Sequence, residues 1–177
     1  MLHTLYLLLG ANLGEPRVTF ALARQQLAQQ IGPIDGASGL YETAAWGVTD
    51  QPTYLNQVLR LSTALEPEAV LERTQAIERA LGRVRTQRWA ARLIDIDILF
   101  YDEAIIRTPA LTVPHPLLHK RRFTLVPLAD IAPTLVHPVL KQTALTMLAT
   151  CPDQSEVRPL TQHPTDPDPG KMIKSCQ

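Results

Sequence analysis

The chain has 177 residues, of which 45% are hydrophobic and 19% are charged, as expected for a single globular domain with a buried core. Its 17 basic and 17 acidic residues balance, so no overall field favours nucleic acid or a membrane surface as a partner. The longest apolar run is far shorter than the roughly 20 residues of a membrane-spanning helix. Because there are only two cysteines and no signal-peptide pattern at the N-terminus, we expect a cytoplasmic protein.

Taken in chain order, the apolar residues predict a βαββαβ arrangement. The predicted elements are a strand over 5–9, a helix over 16–31, strands over 38–43 and 54–63, a helix over 67–81 and a strand over 93–101. Both helices begin at a proline, which is tolerated in a first turn, and both carry apolar residues at helical spacing. This order is that of ferredoxin-like folds, so we expect an α+β domain with a mainly antiparallel sheet.

Beyond residue 101 the patterns predict short additions to this core. They are short edge strands within 105–113, a helix over 123–132 and a second helix over 144–149. From residue 155 the sequence is rich in Pro, Asp, Thr, Gln and Lys and has little apolar content. We therefore expect one domain over 1–154 and a flexible C-terminal tail over 155–177.

The segment 82–101 carries the strongest chemical signal of the chain. Its first half holds four arginines and a tryptophan, and its second half is the alternating run Ile94-Asp95-Ile96-Asp97-Ile98. In a strand, Asp95 and Asp97 point to one face and the isoleucines to the other. Paired carboxylates suit Mg²⁺, which completes its coordination with water and substrate phosphates. Arginines beside such a pair are suited to grip a polyphosphate.

Several separated motifs together resemble the family of 6-hydroxymethyl-7,8-dihydropterin pyrophosphokinases of folate biosynthesis. The resemblance covers about residues 4–150. It is carried by Leu9-Gly10-Ala11-Asn12-Leu13-Gly14, Tyr41-Glu42-Thr43, the run over 50–56, Gly82-Arg83-Val84-Arg85, the run over 92–97, Pro114-His115-Pro116 and Arg121-Arg122-Phe123.

The resemblance implies an ATP-dependent transferase. Such an enzyme moves a pyrophosphoryl group from ATP to the hydroxymethyl oxygen of the pterin and releases AMP. Asp95 and Asp97 match the residues that hold two Mg²⁺ ions, with ATP as co-substrate and no other cofactor. Arg83 and Arg92 match catalytic positions, Arg83 at the transition state and Arg92 on phosphate.

The resemblance also implies two sets of substrate-binding residues. The ATP-binding positions are Leu71, Gln75, Glu78, Arg85, Arg88, Ile98, Thr112, His115 and Arg121. The pterin-binding positions are Thr43, Tyr54, Asn56, Trp89 and Phe123, with the two aromatic rings Trp89 and Phe123 stacking on the heterocycle. The alternation of the predicted strand supports this set, because it places Tyr54 and Asn56 on one face and apolar residues on the other.

The phosphate loop departs from the family in two ways. The family often has Trp-Gly-Pro-Arg where this chain has Trp89-Ala90-Ala91-Arg92, and the loop is slightly short between Arg85 and Arg88. The alignment of those two arginines is therefore open, as is the question of whether Trp46 contacts substrate.

Two other functions are compatible with parts of this pattern. A magnesium-dependent nucleotidyltransferase also uses paired aspartates, but it attacks the α-phosphorus of ATP and releases pyrophosphate. Ferredoxin-like domains also occur as non-enzymatic RNA-binding or regulatory modules. The low aromatic content of 5%, the zero net charge and the two aspartates on the central motif argue against RNA binding. The sequence leaves protein partners and oligomeric state open.

Overall fold

A computed structural model describes residues 1–44, 52–83 and 92–160 of the chain. The strands are β1 His3–Ala11, β2 Ile34–Ala37, β3 Tyr41–Thr43, β4 Tyr54–Thr63, β5 Asp95–Tyr101, β6 Ile106–Arg107, β7 Thr112–Val113 and β8 Val157–Pro159. The helices are α1 Pro16–Gln30, α2 Pro67–Ala80, α3 Arg122–Ile131 and α4 Ala144–Ala149, with a short 3-10 helix at Leu118–Lys120. None of the helices described is long and apolar enough to cross a membrane.

Six of these strands form one antiparallel sheet. Five of them follow the order β5-β1-β4-β3-β8, and the sixth, β2, pairs with a different part of β4 from the part that β3 pairs with. β4 therefore lies between β1 and the β2–β3 edge, while β1 lies between β4 and β5. Each βαβ unit of the chain is split by an intervening strand. This is the ferredoxin-like arrangement that the sequence predicts.

The sheet is covered on both faces because β1 alternates between two cores. Leu5, Leu7 and Leu9 pack against α1 and α2 in a first core. Tyr6 and Leu8 point to the opposite face and pack in a second core with α3 and α4. A strand buried on both faces reads as a continuous apolar run, which is why residues 5–9 show no polar alternation.

The predicted strand over 38–43 is wrong in its bounds, because two short strands, β2 and β3, replace it. Ser38 lies between them, and its hydroxyl accepts a hydrogen bond from the Val58 amide at 3.0 Å. The Ser38 amide in turn donates to the Val58 carbonyl. A side-chain oxygen thus stands in for a backbone carbonyl and interrupts the ladder at this point.

Two predictions for the C-terminal part need correction. β6 and β7 pair only with each other and form a separate ribbon rather than edge strands of the main sheet. The segment predicted to be a flexible tail from residue 155 contributes β8, which pairs with β3 over three residues. The reason is that the outer edge of β3 offers unpaired backbone groups, and β8 satisfies them.

Candidate active site

One end of the sheet carries an open pocket on the face covered by α3. Register places Gly10 of β1 directly between Asp95 of β5 and Asn56 of β4, and paired residues of adjacent strands share a face. The pocket encloses about 780 Å³, counting its open mouth. It is lined by Leu8, Gly10, Thr43, Ala44, Tyr54, Asn56, Arg92, Asp95, Asp97, Arg121 and Phe123.

Gly10 forms the floor of this pocket between two polar side chains. A Cβ atom at this position would lie 3.7 Å from the Asn56 Oδ1 atom, which is ordinary van der Waals contact. A side chain would therefore fit the fold but would fill space between Asp95 and Asn56. Glycine at this position keeps the pocket floor open, and no backbone strain requires it.

Asp95 and Asp97 lie on the pocket face, as the strand alternation predicts, while Ile96 and Ile98 are buried in the first core. Burial and then the neighbouring Asp95 carboxylate raise the pKa of Asp97 to about 7. Such a pair gains from a cation that neutralises the mutual repulsion. Within the described ranges, no group of three or more His, Cys, Asp and Glu side chains is arranged to hold a metal. Two carboxylates fit a hard cation such as Mg²⁺, which takes its other oxygens from water and phosphate.

Two arginines neutralise Asp95 in this structure. Arg83 Nη1 lies 2.7 Å from Asp95 Oδ1, and Arg92 Nη1 pairs with Asp95 Oδ2. Arg83 Nη1 also pairs with the carboxylate of Glu78, whose Oε1 accepts a hydrogen bond from the Ile96 amide at 2.7 Å. Burial raises the pKa of Glu78, while the Ile96 amide and Arg83 oppose that shift. The four side chains form a row of alternating charge that leads from buried Glu78 to Asp95 and Arg92 in the pocket lining.

His115 and Arg121 lie beside Asp97 on the second core face. His115 Nδ1 accepts a hydrogen bond from the Leu117 amide at 3.2 Å, which leaves Nε2 as the protonated nitrogen of the neutral ring. Nε2 lies 4.0 Å from Asp97 Oδ2. Burial, and then the charge of Arg121, lower the pKa of His115 to about 4. His115 is therefore a neutral hydrogen-bond donor at physiological pH.

The opposite side of the pocket carries an amide, a phenol and an aromatic ring. Asn56 is 97% buried and donates through Nδ2 to the Thr43 hydroxyl at 3.0 Å, which fixes the orientation of the amide. Tyr54 lies on the same strand face, as predicted. Phe123 is half-buried at the start of α3, and the Arg121 guanidinium carbon lies 5.7 Å from the centre of its ring.

Asn12 is a positioning residue that the sequence reasoning missed. The side-chain Oδ1 of Asn12 accepts a hydrogen bond from the backbone amide of Arg92 at 2.8 Å, and the backbone amide of Asn12 donates to the Arg92 carbonyl. Its Nδ2 donates to the Pro52 carbonyl at 3.3 Å. A buried polar residue directly after an apolar strand was the available signal. Leu8 and Gly10 were missed as well, because their place in the pocket depends on strand register and not on residue type.

Eight predicted site residues meet in the pocket, and the others lie elsewhere. The eight are Thr43, Tyr54, Asn56, Arg92, Asp95, Asp97, Arg121 and Phe123. Leu71 and Gln75 lie half-buried on α2, and Ile98 is buried in the first core. Thr112 and His115 border a second cavity beside the β6–β7 ribbon. Arg85, Arg88, Trp89 and Trp46 lie outside the described residues.

Glu78, one of the predicted ATP-binding residues, is deeply buried at the end of α2. Only 4% of the residue is exposed, and its carboxylate is engaged by Arg83 and by the Ile96 amide. Both of these contacts are made by Oε1 of the carboxylate. The predicted ATP contact at Glu78 stays a prediction.

Comparison with known proteins finds relatives that cover most of the described chain. Residues 6–133 match the family model described as 7,8-dihydro-6-hydroxymethylpterin-pyrophosphokinase. The chain is 40% identical over 139 residues to the 2-amino-4-hydroxy-6-hydroxymethyldihydropteridine pyrophosphokinase of Aquifex aeolicus, covering 78% of this chain and 86% of the relative. It is 45% identical over 132 residues to the protein of that name from Methylorubrum extorquens, covering 74% of this chain and 84% of the relative.

A solved structure of Plasmodium falciparum HPPK-DHPS with pteroate shares the fold. It superposes with a TM-score of 0.69 over 85% of this chain at 17% identity, and the chain spans 42% of that longer protein. This likeness supports the architecture, whereas the sequence relatives and the family model establish descent. The chain belongs to the 7,8-dihydro-6-hydroxymethylpterin pyrophosphokinase family.

Proposed function

We propose that the pocket between β5, β4 and α3 is where this chain carries out its family's reaction. The reaction transfers pyrophosphate from ATP to the hydroxymethyl group of 6-hydroxymethyl-7,8-dihydropterin, a step of folate biosynthesis. The observation that carries the assignment is that one pocket has two chemically different ends, one charged and one aromatic and polar. Asp95 and Asp97 lie with arginines at one end, and Asn56, Tyr54 and Phe123 lie at the other.

The second end binds the pterin. Phe123 stacks on the flat ring, since aromatic faces supply contact area with few degrees of freedom. The amide of Asn56, held by Thr43, hydrogen-bonds the polar edge of the heterocycle, and Tyr54 flanks it. Trp89, the predicted partner of Phe123, belongs to the same proposal from the sequence alone.

The first end binds the triphosphate of ATP. Asp95 and Asp97 would hold two Mg²⁺ ions, which would supply charge neutralisation and a template for the phosphates. Arg92 grips phosphate and Arg83 stabilises the charge of the transition state. His115, whose Nε2 lies 4.0 Å from Asp97 Oδ2, is placed to donate a hydrogen bond to the triphosphate, and Arg121 adds a positive charge in the same pocket. Leu71, Gln75, Ile98, Thr112, Arg85 and Arg88 complete the proposed nucleotide set.

The reaction balances as a single displacement. The hydroxymethyl oxygen forms a bond to the β-phosphorus, and the bond from the β-phosphorus to the oxygen that bridges to the α-phosphorus breaks. AMP leaves with that electron pair, and the hydroxyl proton is released. The residues of the pocket hold the two substrates so that oxygen and phosphorus are in line, which converts the encounter of two molecules into one step.

Product analysis tests this function directly. The protein is incubated with ATP and Mg²⁺, with and without 6-hydroxymethyl-7,8-dihydropterin, and the nucleotides are separated. We expect AMP and the pterin diphosphate in equal amounts, and only when the pterin is present. ADP would contradict pyrophosphoryl transfer, and free pyrophosphate with a nucleotidyl product would establish the nucleotidyltransferase instead.

The location of the protein is a second, coarser proposal. We infer that it works in the cytoplasm, because the sequence has only two cysteines and disulfide-rich chains are typical of exported proteins. Cell fractionation with an antibody to the native protein tests this, and recovery in a membrane or exported fraction would contradict it.

A further inference from the structure

The end of α2 ties Arg83 to Glu78 through the backbone. Gly82 has φ +88°, and the amides of Gly82 and Arg83 donate to the carbonyls of Arg79 and Glu78 at 3.1 and 2.9 Å. This is the Schellman arrangement that ends many helices, and it needs glycine at the left-handed position. The start of the Arg83 side chain is therefore fixed relative to Glu78.

The Glu78 carboxylate holds two further groups at once. It pairs with Arg83 Nη1, and its Oε1 accepts the Ile96 amide hydrogen at 2.7 Å. Ile96 is the residue between Asp95 and Asp97. Strand β5 pairs only with β1 among the described strands, so this amide relies on Glu78 for its hydrogen bond. One carboxylate thus fixes both the arginine and the strand that carries the aspartate pair.

The enclosure of Glu78 separates it from the pocket. The residue is 96% buried and is absent from the pocket lining, while Arg83 extends from it to Asp95 at 2.7 Å. The described contacts of Glu78 reach the aspartate pair through Arg83 and through β5. We infer that Glu78 is a positioning residue for the transfer reaction, which aims Arg83 at Asp95 and fixes β5.

A double-mutant cycle tests this inference, which rests on the proposed function. Glu78→Gln keeps an oxygen acceptor for the Ile96 amide but removes the charge that holds Arg83. We expect kcat for AMP formation to fall roughly ten- to hundredfold, the range for losing a hydrogen bond to a charged group. The affinity for an ATP analogue with a methylene bridge between the α- and β-phosphorus is expected to stay unchanged. In the Arg83→Gln background, Glu78→Gln is expected to have no further effect, because the two act as one unit.

Other outcomes overturn the inference. If Glu78→Gln lowers kcat by the same factor with and without Arg83, or weakens binding of the ATP analogue in the Arg83→Gln background, Glu78 acts on the nucleotide directly. Glu72→Gln, the same change on the exposed face of α2, is the matched control and is expected to behave as wild type. Where Glu78→Gln folds poorly, Glu78→Asp enters the same cycle with the same expected non-additivity. Wild-type product analysis comes first, so failure to form AMP contradicts the function and not the role of Glu78.

Discussion

The charges of the site converge on Asp95. Both of its oxygens pair with arginines, Arg83 on one side and Arg92 on the other, whereas Asp97 has only His115 at 4.0 Å in the described contacts. The two carboxylates therefore differ in the described structure although they are neighbours on one strand face. Asp97 is the oxygen donor that is free of an arginine pair here, and its removal gives the cleaner test of the metal assignment.

Asp97→Asn is expected to lower kcat by roughly 10²–10³-fold, the range for losing one electrostatic group at a reacting centre. The fold is expected to survive, because the change removes a charge that Asp95 repels. Turnover is measured as AMP formation at several Mg²⁺ concentrations, with thermal unfolding alongside. Glu103→Gln, an exposed carboxylate just beyond β5, is the control, and substantial activity of Asp97→Asn at low Mg²⁺ would show that the metal assignment is wrong.

Gly10→Ala separates stability from function. Alanine in a strand is expected to stabilise the fold by about 0.5–1 kcal/mol relative to glycine, since the nearest atom to the new methyl group lies 3.7 Å away. The methyl group takes up space at the pocket floor that we assign to the pterin, and overfilling of the packed complex costs roughly 1–3 kcal/mol. We therefore expect a raised Tm together with about a tenfold weaker pterin affinity.

Gly36→Ala is the matched control for this change, because it adds a methyl group elsewhere in the sheet with a nearest neighbour also at 3.7 Å. Unfolding curves and pterin titrations are compared for both variants. Unchanged pterin binding by Gly10→Ala would remove Gly10 from the site.

At the scale of elements, α3 depends on a distant residue for its first turn. Its N-cap position, Arg121, makes no side-chain cap hydrogen bond, and Asp153 accepts the Arg122 amide hydrogen at 2.9 Å instead. Partial burial alone would raise the pKa of Asp153, but hydrogen bonds from Ser155 and from the Arg122 amide lower it below its usual value. The helix that presents Phe123 is thus positioned from the segment after α4.

Asp153→Ala is expected to lower the free energy of unfolding by about 1 kcal/mol, as for the loss of other helix caps. A depressed pKa in the folded state means that the carboxylate stabilises the fold above its unfolded pKa of about 3.9, and that this contribution is lost as pH falls through the folded value. The difference between wild type and variant is therefore expected to be full at pH 7 and to vanish in acid. Denaturant unfolding curves at pH 7 and in strong acid measure this difference in stability. Glu156→Gln changes an exposed carboxylate and is the control. A difference that persists in strong acid would contradict the capping role of Asp153.

Two truncations test the part played by β8. A chain that ends at Gln154 leaves β3 without its outer partner and removes Leu160 from the first core. We expect its Tm to fall by roughly 5 °C and its pterin KM to rise, because β3 carries Thr43, while ATP affinity stays the same. A chain that ends at Leu160 is expected to match the full protein. If the chain ending at Gln154 also matches it, the domain ends at residue 154 as first expected from composition.

The elements that sequence reasoning predicts best are those fixed by local chemistry. β4 spans 54–63 and α4 spans 144–149 as predicted, because alternation and turn residues mark their ends. Helices α1 and α2 begin at Pro16 and Pro67, where proline sets the first turn. The break between β2 and β3 was not predictable, since it depends on a hydrogen bond between Ser38 and Val58, twenty residues apart.

At the scale of the whole molecule, a site residue was predictable where its type and local pattern indicate its role. It was not predictable where its position depends on how strands and loops assemble. Asp95 and Asp97 follow from strand alternation, and the pterin wall follows from the family resemblance. Gly10 and Asn12 enter the site only through strand register and loop contacts. The burial of Glu78 was not predictable, because a carboxylate on a polar helix flank looks the same in sequence whether it faces a ligand or a buried arginine.

The register that places Gly10 between Asn56 and Asp95 also has a consequence for how the chain folds. Its two neighbours lie 46 and 85 positions further along the chain, so both pairings are long-range contacts that form slowly. Among the described elements, no hairpin or single βαβ unit contains all the strands that line the pocket. Substrate binding during refolding should therefore appear only with the last strand pairing, which makes the pterin a reporter of the completed sheet.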